Sequence, residues 1–527
     1  MGRLKTLIPQ SILMALLMLF LLYLIQQSSA RYYWHDEVSN LLYLSGNVPE
    51  VLNQKLADNQ PKKQAEIQQF QAVNPEKKLS DTIQSVALSS GQPPPLYLIL
   101  LWGWSRIFGN AEWVLRSLST LIWLGFLAIV YRLSILLFTN QRTAIIAVLL
   151  IAFSPRFLPL AFQVWEFGLY ALFTVLSSLL FLSAFNNSPS LKRWLYYSLS
   201  LTAGLYTQLF FVTVPLSHFA YWICNWRSGS QKQKIYGLSS IILSMLLFCP
   251  WLFFVRLNPS KIYAWAAGRW VLSTYLSRWW ETVTGIFVTL HLPLKLDYGV
   301  MLGIIILLGW TVLSLLLGTN RQVSSFLLSL IVVPLSVLLL WDVLFGMKYA
   351  SVGRFFLPTL MGLVLALAYW INGLMISSRP VLRGLGYLAL TSVLILEILS
   401  VLPTGSSQAK YQGYGSEIVN GMAIVNQAEK PLVISEKWLD LLSVSHAGKA
   451  ETLYILLKTP EQFQNLTLSN QALTIYLVAP SASLLNEVQQ AGYQIRATKS
   501  EEFWQIQIRD LWNRRKISVR EIGRAHV

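Results

Sequence analysis

The chain has 527 residues, of which 54% are hydrophobic and only 12% are charged, about half the charged share of an ordinary globular protein. Such a composition cannot cover a water-soluble surface with polar groups, so it excludes a soluble globular protein and predicts an integral membrane protein. The net charge of +17 raises the question of nucleic-acid binding. The basic residues stand in short clusters between apolar runs rather than along one groove, so we expect no nucleic-acid partner.

The membrane spans can be predicted in chain order. Arg3 and Lys5 precede an apolar run that is long for a signal peptide, so we expect an uncleaved first helix with a cytoplasmic N-terminus. A span needs about 20 mostly apolar residues, because lipid offers no partner to an unpaired backbone amide. This criterion predicts about eleven spans. They lie near 7–25, 113–138, 143–162, 167–185, 194–209, 210–226, 235–256, 298–317, 322–343, 355–375 and 384–403. The apolar segment 95–108 is too short to cross and is expected to be re-entrant or interfacial.

Alternation of the spans fixes their orientation. Five connections fall on the cytoplasmic side, and all five carry basic residues, as the positive-inside rule requires. Their basic residues are Arg142, Lys192-Arg193, Arg227 to Lys234, Arg321 and Arg379 to Arg383. The outer face then holds the loop 26–95, the turn 154–166, the loop 257–297 and the turn 344–354.

The composition changes after Pro403. Short apolar runs begin at Pro431, Thr452 and Leu473, and a helical stretch from Ala482 to Gln490 is followed by Gly492. Strands alternating with helices predict a small α/β domain. We therefore expect a polytopic α-helical membrane domain, 1–403, that includes the outer loop 26–95. An extracytoplasmic α/β domain, 404–510, and a disordered tail, 511–527, follow it.

Two acids open the first outer loop. Asp36 and Glu37 follow an aromatic belt, so they are expected at the membrane surface. Adjacent residues on a regular element point in different directions, so one acid can face a reaction centre while the other holds a neighbouring group. The alternative is a solvated acidic start of a loop. The same loop ends in Gly91-Gln-Pro-Pro-Pro-Leu-Tyr, where three prolines predict a rigid, extended entry to the next segment.

The outer face also carries cations, which the positive-inside rule disfavours near span ends. They are Lys261, Arg269, Arg278, His291, Lys295, Lys348 and Arg354. An anionic ligand such as a lipid phosphate would explain them, since Arg can grip phosphate oxygens in a fork. Pairing with lipid headgroups is the alternative for any single residue. In the turn 154–166, Arg156 and Glu166 stand at the ends of two apolar helices, where ionisable residues are costly unless they are used or lie at the interface.

Four stretches in this order resemble the GT-C superfamily of membrane glycosyltransferases, in its protein-mannosyltransferase-like and aminoarabinose-transferase-like branch (family 39/83 type). The resemblance covers roughly residues 1–400. Trp34-His-Asp-Glu is similar to the family's Asp-Glu signature, and Pro93-Pro-Pro-Leu-Tyr-Leu-Ile-Leu-Leu to its His-Pro-Pro-Leu-Tyr stretch. Ser154-Pro with Glu166-Phe-Gly-Leu-Tyr170 is similar to its Ser-Pro and Glu-Ala-Arg-x-Tyr turn, and Arg354-Phe-Phe-Leu-Pro to its Arg-Tyr-Leu-Leu-Pro stretch.

The resemblance implies an inverting transfer of a sugar from a polyprenyl-phosphate donor, at the outer face of a bacterial plasma membrane. The partners would be the lipid-linked sugar, a lipid, glycan or protein acceptor, and membrane lipids. Asp36 would be the general base and Glu37 would orient the acceptor or a cation. The substrate-binding residues would be Glu166, Arg269, Lys348, Arg354, Tyr97 and Tyr170. His35, beside the two acids, could bind a divalent metal, the one cofactor the pattern admits.

The chain departs from the family pattern at Pro93, Gly168 and Gln208, where the family has His, Arg and His. These changes predict a divergent substrate or a weakened enzyme. A transporter or flippase of lipid-linked sugars remains an alternative, with Asp342 and Glu397 as the ionisable residues nearest to mid-span. A polymerase or ligase of envelope polysaccharides, acting through the loop 257–297, and a non-catalytic scaffold are the others.

Overall fold

The structure is a computed structural model. It describes residues 32–89, 91–228, 230–257, 271–289, 294–318, 320–401, 416–466, 473–498, 500 and 502–507. The predicted first span at 7–25, the tail 511–527 and Arg269 lie outside the described residues. The chain divides into two compact units. A membrane unit comprises Met1–Ala30 and Thr82–Thr404. The second unit, called the outer unit after its predicted side, comprises Arg31–Asp81 and Gly405–Val527.

The described helices are numbered along the chain. They are α1 His35–Leu44, α2 Pro49–Leu56, α3 Gln64–Gln68, α4 Leu79–Ser89, α5 Leu96–Phe108, α6 Glu112–Phe138, α7 Gln141–Ala152, α8 Phe167–Asn186, α9 Leu191–Leu205, α10 Thr213–Cys224, α11 Gln231–Leu257, α12 Leu272–Thr284, α13 Leu294–Gly318, α14 Arg321–Phe345, α15 Leu357–Met375, α16 Pro380–Val401, α17 Ser416–Val425, α18 Trp438–Ala447 and α19 Ala482–Gln490. The described strands are β1 Lys62–Lys63, β2 Pro431–Ser435, β3 Leu453–Leu456, β4 Thr474–Val478, β5 Gln494–Ala497 and β6 Phe503–Gln507.

Among the described residues, seven helices are long and apolar enough to cross a membrane. They are Glu112–Phe138, Phe167–Asn186, Gln231–Val255, Tyr298–Leu317, Arg321–Phe345, Gly353–Met375 and Pro380–Val401. Shorter apolar helices lie at Leu96–Phe108, Gln141–Ala152 and Leu209–Cys224. The prediction of a polytopic α-helical membrane protein is therefore confirmed.

Individual residues at the helix termini stabilise the points where these helices begin and end. The side chain of Asn140 accepts hydrogen bonds from the backbone amides of Arg142 and Thr143 at the start of α7. Asn320 does the same for Gln322 at the start of α14. Gly346 ends α14 at φ 65°, a left-handed conformation that glycine adopts without a steric cost.

Hydrogen bonds gather the helix connections at two ends of the membrane unit. At one end, the Gln233 side-chain amide donates to the carbonyl of Asn187 at 2.8 Å, and Asn225 donates to the Ser325 hydroxyl at 3.0 Å. Three basic connections that the sequence places in the cytoplasm therefore lie together. At the other end, the amide of Leu96 donates to the carbonyl of Tyr206 at 3.0 Å. This grouping follows the predicted alternation of spans.

The outer unit is built on a sheet that runs in the order β1-β3-β2-β4-β6-β5 among the described residues. Strands β3, β2 and β4 are parallel, while β1, β6 and β5 are antiparallel to their neighbours. The predicted small C-terminal α/β domain is confirmed. Its buried core includes Ile434, Leu477 and Val488, and Gly492 follows α19 at φ 88°.

The sheet draws its first strand from the far end of the sequence. Lys62 and Lys63 of β1 pair with Tyr454 and Leu453 of β3. The sequence grouped this loop with the membrane domain, whereas the compact units group residues 31–81 with the sheet. Residues from before and after the membrane helices therefore form one sheet.

Candidate active site

The predicted catalytic acids occupy the first turn of α1 in the outer unit. Glu37 is buried, and its carboxylate accepts the backbone amide of Trp34 at 3.4 Å, as an acid in the first turn of a helix commonly does. Asp36 is half-buried. The two adjacent acids thus have different surroundings, and Glu37 accepts a hydrogen bond at the start of its own helix.

His35 begins the same helix and forms an ion pair with the C-terminal part of the unit. Its Nε2 lies 2.9 Å from Oδ1 of Asp440, a buried residue in the first turn of α18. Burial by itself would lower the pKa of His35. The hydrogen bond and charge of Asp440, with the charges of Asp36 and Glu502, outweigh that effect, so the pKa lies above its ordinary value of 6.5.

In the membrane unit, the turn 154–166 is fastened to the segment after α12. The hydroxyl of Ser154 donates to the carbonyl of Ile286 at 2.5 Å. A Cβ added to Gly285 would lie 3.1 Å from Nη2 of Arg156, so the guanidinium rests directly against this glycine. Both contacts join segments that are more than a hundred residues apart in the sequence.

Arg354 lies beside this turn. Its guanidinium is 5.6 Å from the ring centroid of Trp165 and 5.9 Å from that of Phe167, within the range of cation–π attraction. Glu166, between these aromatic residues in the sequence, is buried. Arg354 is half-buried and Lys348 is exposed. The structure therefore brings Arg354 to the turn that carries Glu166, which the sequence could only suggest from their shared side.

Asp342 holds the segment that leads to Arg354. Its carboxylate is buried and accepts the backbone amides of Tyr349 at 2.9 Å and Ala350 at 2.6 Å. It also accepts the hydroxyl of Tyr275 on α12 at 2.9 Å. The indole of Trp279 donates to the carbonyl of Ala350. Asp342 thus fixes the short turn 346–353 against α12, a role that the sequence did not indicate.

The two predicted substrate-binding tyrosines are buried inside the membrane unit. The hydroxyl of Tyr97 lies 2.9 Å from that of Ser119, and Tyr170 lies 3.5 Å from the carbonyl of Phe355. Tyr170 therefore packs against the residue that follows Arg354. Their roles in binding stay predictions.

Three polar residues were not singled out as site residues. Arg116 is 1% exposed and pairs with Glu112 at 2.6 Å, one turn away on α6. The ring of His218 lies 3.0 Å from the hydroxyls of Ser178 and Tyr197, as a satisfied core histidine does. Both carboxylate oxygens of Glu397 are buried without a hydrogen-bond partner among the described residues. Charge inside a predicted apolar helix was the only sequence feature that marked Arg116 and Glu397.

Metal binding stays a prediction. Among the described residues, no group of three or more His, Cys, Asp or Glu side chains is arranged to hold a metal ion. His35 lies beside Asp440 rather than in such a group.

The fold resembles that of a solved membrane protein. ArnT from Cupriavidus metallidurans bound to undecaprenyl phosphate matches with a TM-score of 0.50 and 10% sequence identity, over 95% of this chain and 98% of that chain. The Archaeoglobus fulgidus oligosaccharyltransferase in complex with Zn and sulfate matches with a TM-score of 0.41 and 12% identity, over 73% of this chain and 59% of that chain. The chain is therefore a multi-span membrane protein with an ArnT-like fold.

A protein-family model also matches part of the chain. Residues 92–254 match the family described as dolichyl-phosphate-mannose-protein mannosyltransferase. The matched segment contains the proline stretch before Tyr97 and the turn 154–166. No curated protein matches the sequence. The resemblance to the GT-C glycosyltransferases predicted from the sequence is confirmed.

Proposed function

We propose that the protein is an inverting glycosyltransferase that moves a sugar from a polyprenyl-phosphate donor to an acceptor at the outer face of the bacterial plasma membrane. The observation that carries this proposal is the family match over residues 92–254. This segment includes the turn whose Trp165 ring lies 5.6 Å from the Arg354 guanidinium. The undecaprenyl phosphate bound to ArnT, a protein of the same fold, supports a polyprenyl phosphate as the carrier.

In the proposed reaction, a nucleophilic group of the acceptor attacks the anomeric carbon of the sugar. The bond from that carbon to the phosphate oxygen breaks, and the lipid phosphate leaves with the bonding electrons. Asp36 takes the proton of the acceptor, while Glu37 holds the start of its own helix. Arg354, with Lys348 and Arg269, stabilises the negative charge that grows on the departing phosphate.

The stacking of Arg354 suits this role. A guanidinium held against aromatic rings loses little additional conformational freedom when it binds a phosphate. Asp342 adds to this by fixing the turn before it. Glu166, buried beside Trp165, is proposed to hold cationic or acceptor groups. The roles of Tyr97 and Tyr170, and a divalent metal at His35, are proposals of the same kind.

The test is a transfer assay on purified protein with radiolabelled polyprenyl-phosphate sugars. Wild type is compared with Asp36→Asn, Arg354→Ala and the control Arg142→Gln, an exposed arginine in a connection that the sequence predicts to be cytoplasmic. We expect both site variants to lose at least about 100-fold in rate while the control keeps its activity. Full activity of Asp36→Asn would refute the assignment of Asp36 as the general base. If wild type transferred no sugar from any donor, the proposal that the protein is a glycosyltransferase would be refuted. Chelation and readdition of Mn²⁺ in the same assay tests the metal.

A transporter of lipid-linked sugars is the second candidate, favoured by the buried carboxylate of Glu397 within α16. Glu397→Gln should keep its transfer rate within about 2-fold if the protein is a transferase, because the neutral amide fits the same space. Uptake of a fluorescent lipid-linked sugar into proteoliposomes by wild type, abolished in Glu397→Gln, would favour the transporter instead.

A further inference from the structure

The helix that carries Asp36 is held by the C-terminal part of the chain. In the first outer loop, β1 extends the C-terminal sheet by pairing with β3. The side-chain amides of Gln64 and Gln68 donate to the carbonyl of Ser445 at 2.7 and 3.1 Å. These bonds reach the end of α18, so the loop is built into the C-terminal domain as a structural part of it.

A second set of contacts joins α18 to the loop next to α1. His446 lies 2.7 Å from Oε1 of Gln71, whose amide nitrogen donates to the carbonyl of Val38 at 2.9 Å. The ring of Tyr33 meets that of His446 edge-on at 5.0 Å. Residues of α18 therefore hold α1 at two places: at Tyr33, just before its first residue, and through Gln71 at Val38.

The third contact is the pair of His35 and Asp440, one residue from the proposed base. Asp440 is buried and Lys437 lies 3.9 Å from its other carboxylate oxygen. Asp36 and Glu502 are the other acids whose charges act on His35. The imidazole thus bridges the C-terminal domain and the first turn of α1.

We propose that Asp440 is a positioning residue for the transfer reaction, acting through His35 to fix the first turn of α1 and thereby the carboxylate of Asp36. The C-terminal α/β domain is then a required part of the catalytic apparatus. This inference rests on the proposed function, in which Asp36 is the base. Displacing a reacting group by about 1 Å can cost on the order of 100-fold in rate, so a distant anchor matters.

The experiment measures kcat and KM for the lipid-linked sugar with full-length protein in nanodiscs. The variants are Asp440→Ala, His35→Ala, their double variant, and Asp440→Asn, whose amide oxygen can still accept from the imidazole. The control is Asp58→Ala, which removes an exposed ion pair with Lys62 in the same loop. Asp36→Asn is measured alongside.

We expect Asp440→Ala to lower kcat about 10- to 100-fold with KM changed less than about 2-fold, and Asp440→Asn to recover most of the loss. The double variant should be no slower than the slower single variant, because both residues act through one contact. An unchanged kcat in Asp440→Ala, or losses that multiply in the double variant, would overturn the proposal. If Asp440→Ala does not fold, His35→Ala decides by the same rule, and an unchanged kcat in that variant would overturn the proposal.

The parallel variant separates the two failures. If Asp36→Asn is inactive while Asp440→Ala keeps the wild-type kcat, the positioning role falls and the proposed function stands. If Asp36→Asn is fully active, the base assignment falls first, and with it the positioning role.

Discussion

Replacing Asp342 tests how the outer end of the membrane unit is held together. Its carboxylate accepts three hydrogen bonds, from the amides of Tyr349 and Ala350 and from the hydroxyl of Tyr275. A hydrogen bond to a charged group contributes about 1.5–3 kcal/mol, and three donors sharing one carboxylate do not add fully. Asp342→Ala should therefore destabilise the folded protein by about 3–5 kcal/mol. Asp342→Asn, which keeps one accepting oxygen, should cost about half of that.

The assay is the fraction of protein that remains monodisperse in size-exclusion chromatography after heating, combined with the transfer rate. The matched control is Glu281→Gln on α12, which removes an exposed pair with Arg278 and should leave thermal stability unchanged. We expect the order wild type and control, then Asp342→Asn, then Asp342→Ala. Since the turn leads to Arg354, the transfer rate should fall in the same order. An Asp342→Ala variant as heat-resistant as the control would refute the reasoning.

Three other predictions concern the two units. In Gly285→Ala the new Cβ would lie 2.6 Å from the carbonyl oxygen of Glu281 and 3.1 Å from the guanidinium of Arg156. We therefore expect a loss of stability of about 1–3 kcal/mol in the same heating assay. The control is Gly303→Ala, where a new Cβ has nothing within 4 Å. Tyr97→Phe and Ser119→Ala each remove the same buried hydrogen bond, which contributes about 1 kcal/mol. The two variants should therefore have equal, small effects on the melting temperature and on KM. A rise in KM for Tyr97→Phe alone would show that Tyr97 touches the substrate. Because the pKa of His35 is raised, the stability that its pair with Asp440 contributes is fully present below pH 6.5 and is lost as the pH rises through the folded-state pKa. The difference in melting temperature between wild type and Asp440→Asn should therefore shrink as the pH rises, and a difference that grows with pH would contradict the assignment.

The membrane unit follows from the sequence because each span is a local property. A run such as the one that forms α13 must be helical in lipid, since its backbone amides find partners only within the helix. The turn chemistry is local in the same way: Gly492 follows the helical stretch to Gln490 in the sequence and ends that turn at φ 88° in the structure. The strands at Pro431 and Thr474 were equally visible as short apolar runs.

The partners of the polar residues could not be predicted in this way. Asp342 was conspicuous as one of the ionisable residues nearest to mid-span, yet its role depends on Tyr275, which lies on another helix, α12. Lys62 and Lys63 are not residue types that predict a strand. They form one only because they pair with the exposed edge of β3. In the site, Asp36, Glu166 and Arg354 were selected by motif, whereas the stacking of Arg354 on Trp165 required the fold.

The sequence by itself determined that this chain is a membrane protein, where its helices run, which connections share a side and which superfamily it resembles. These properties depend on hydrophobicity, charge and short motifs, which act over a few residues or one turn. Only the tertiary structure decided that the loop of Asp36 is part of the C-terminal domain and that His35 pairs with Asp440. Such pairs join opposite ends of the chain, and no local pattern encodes them because their geometry exists only after the sheet has formed.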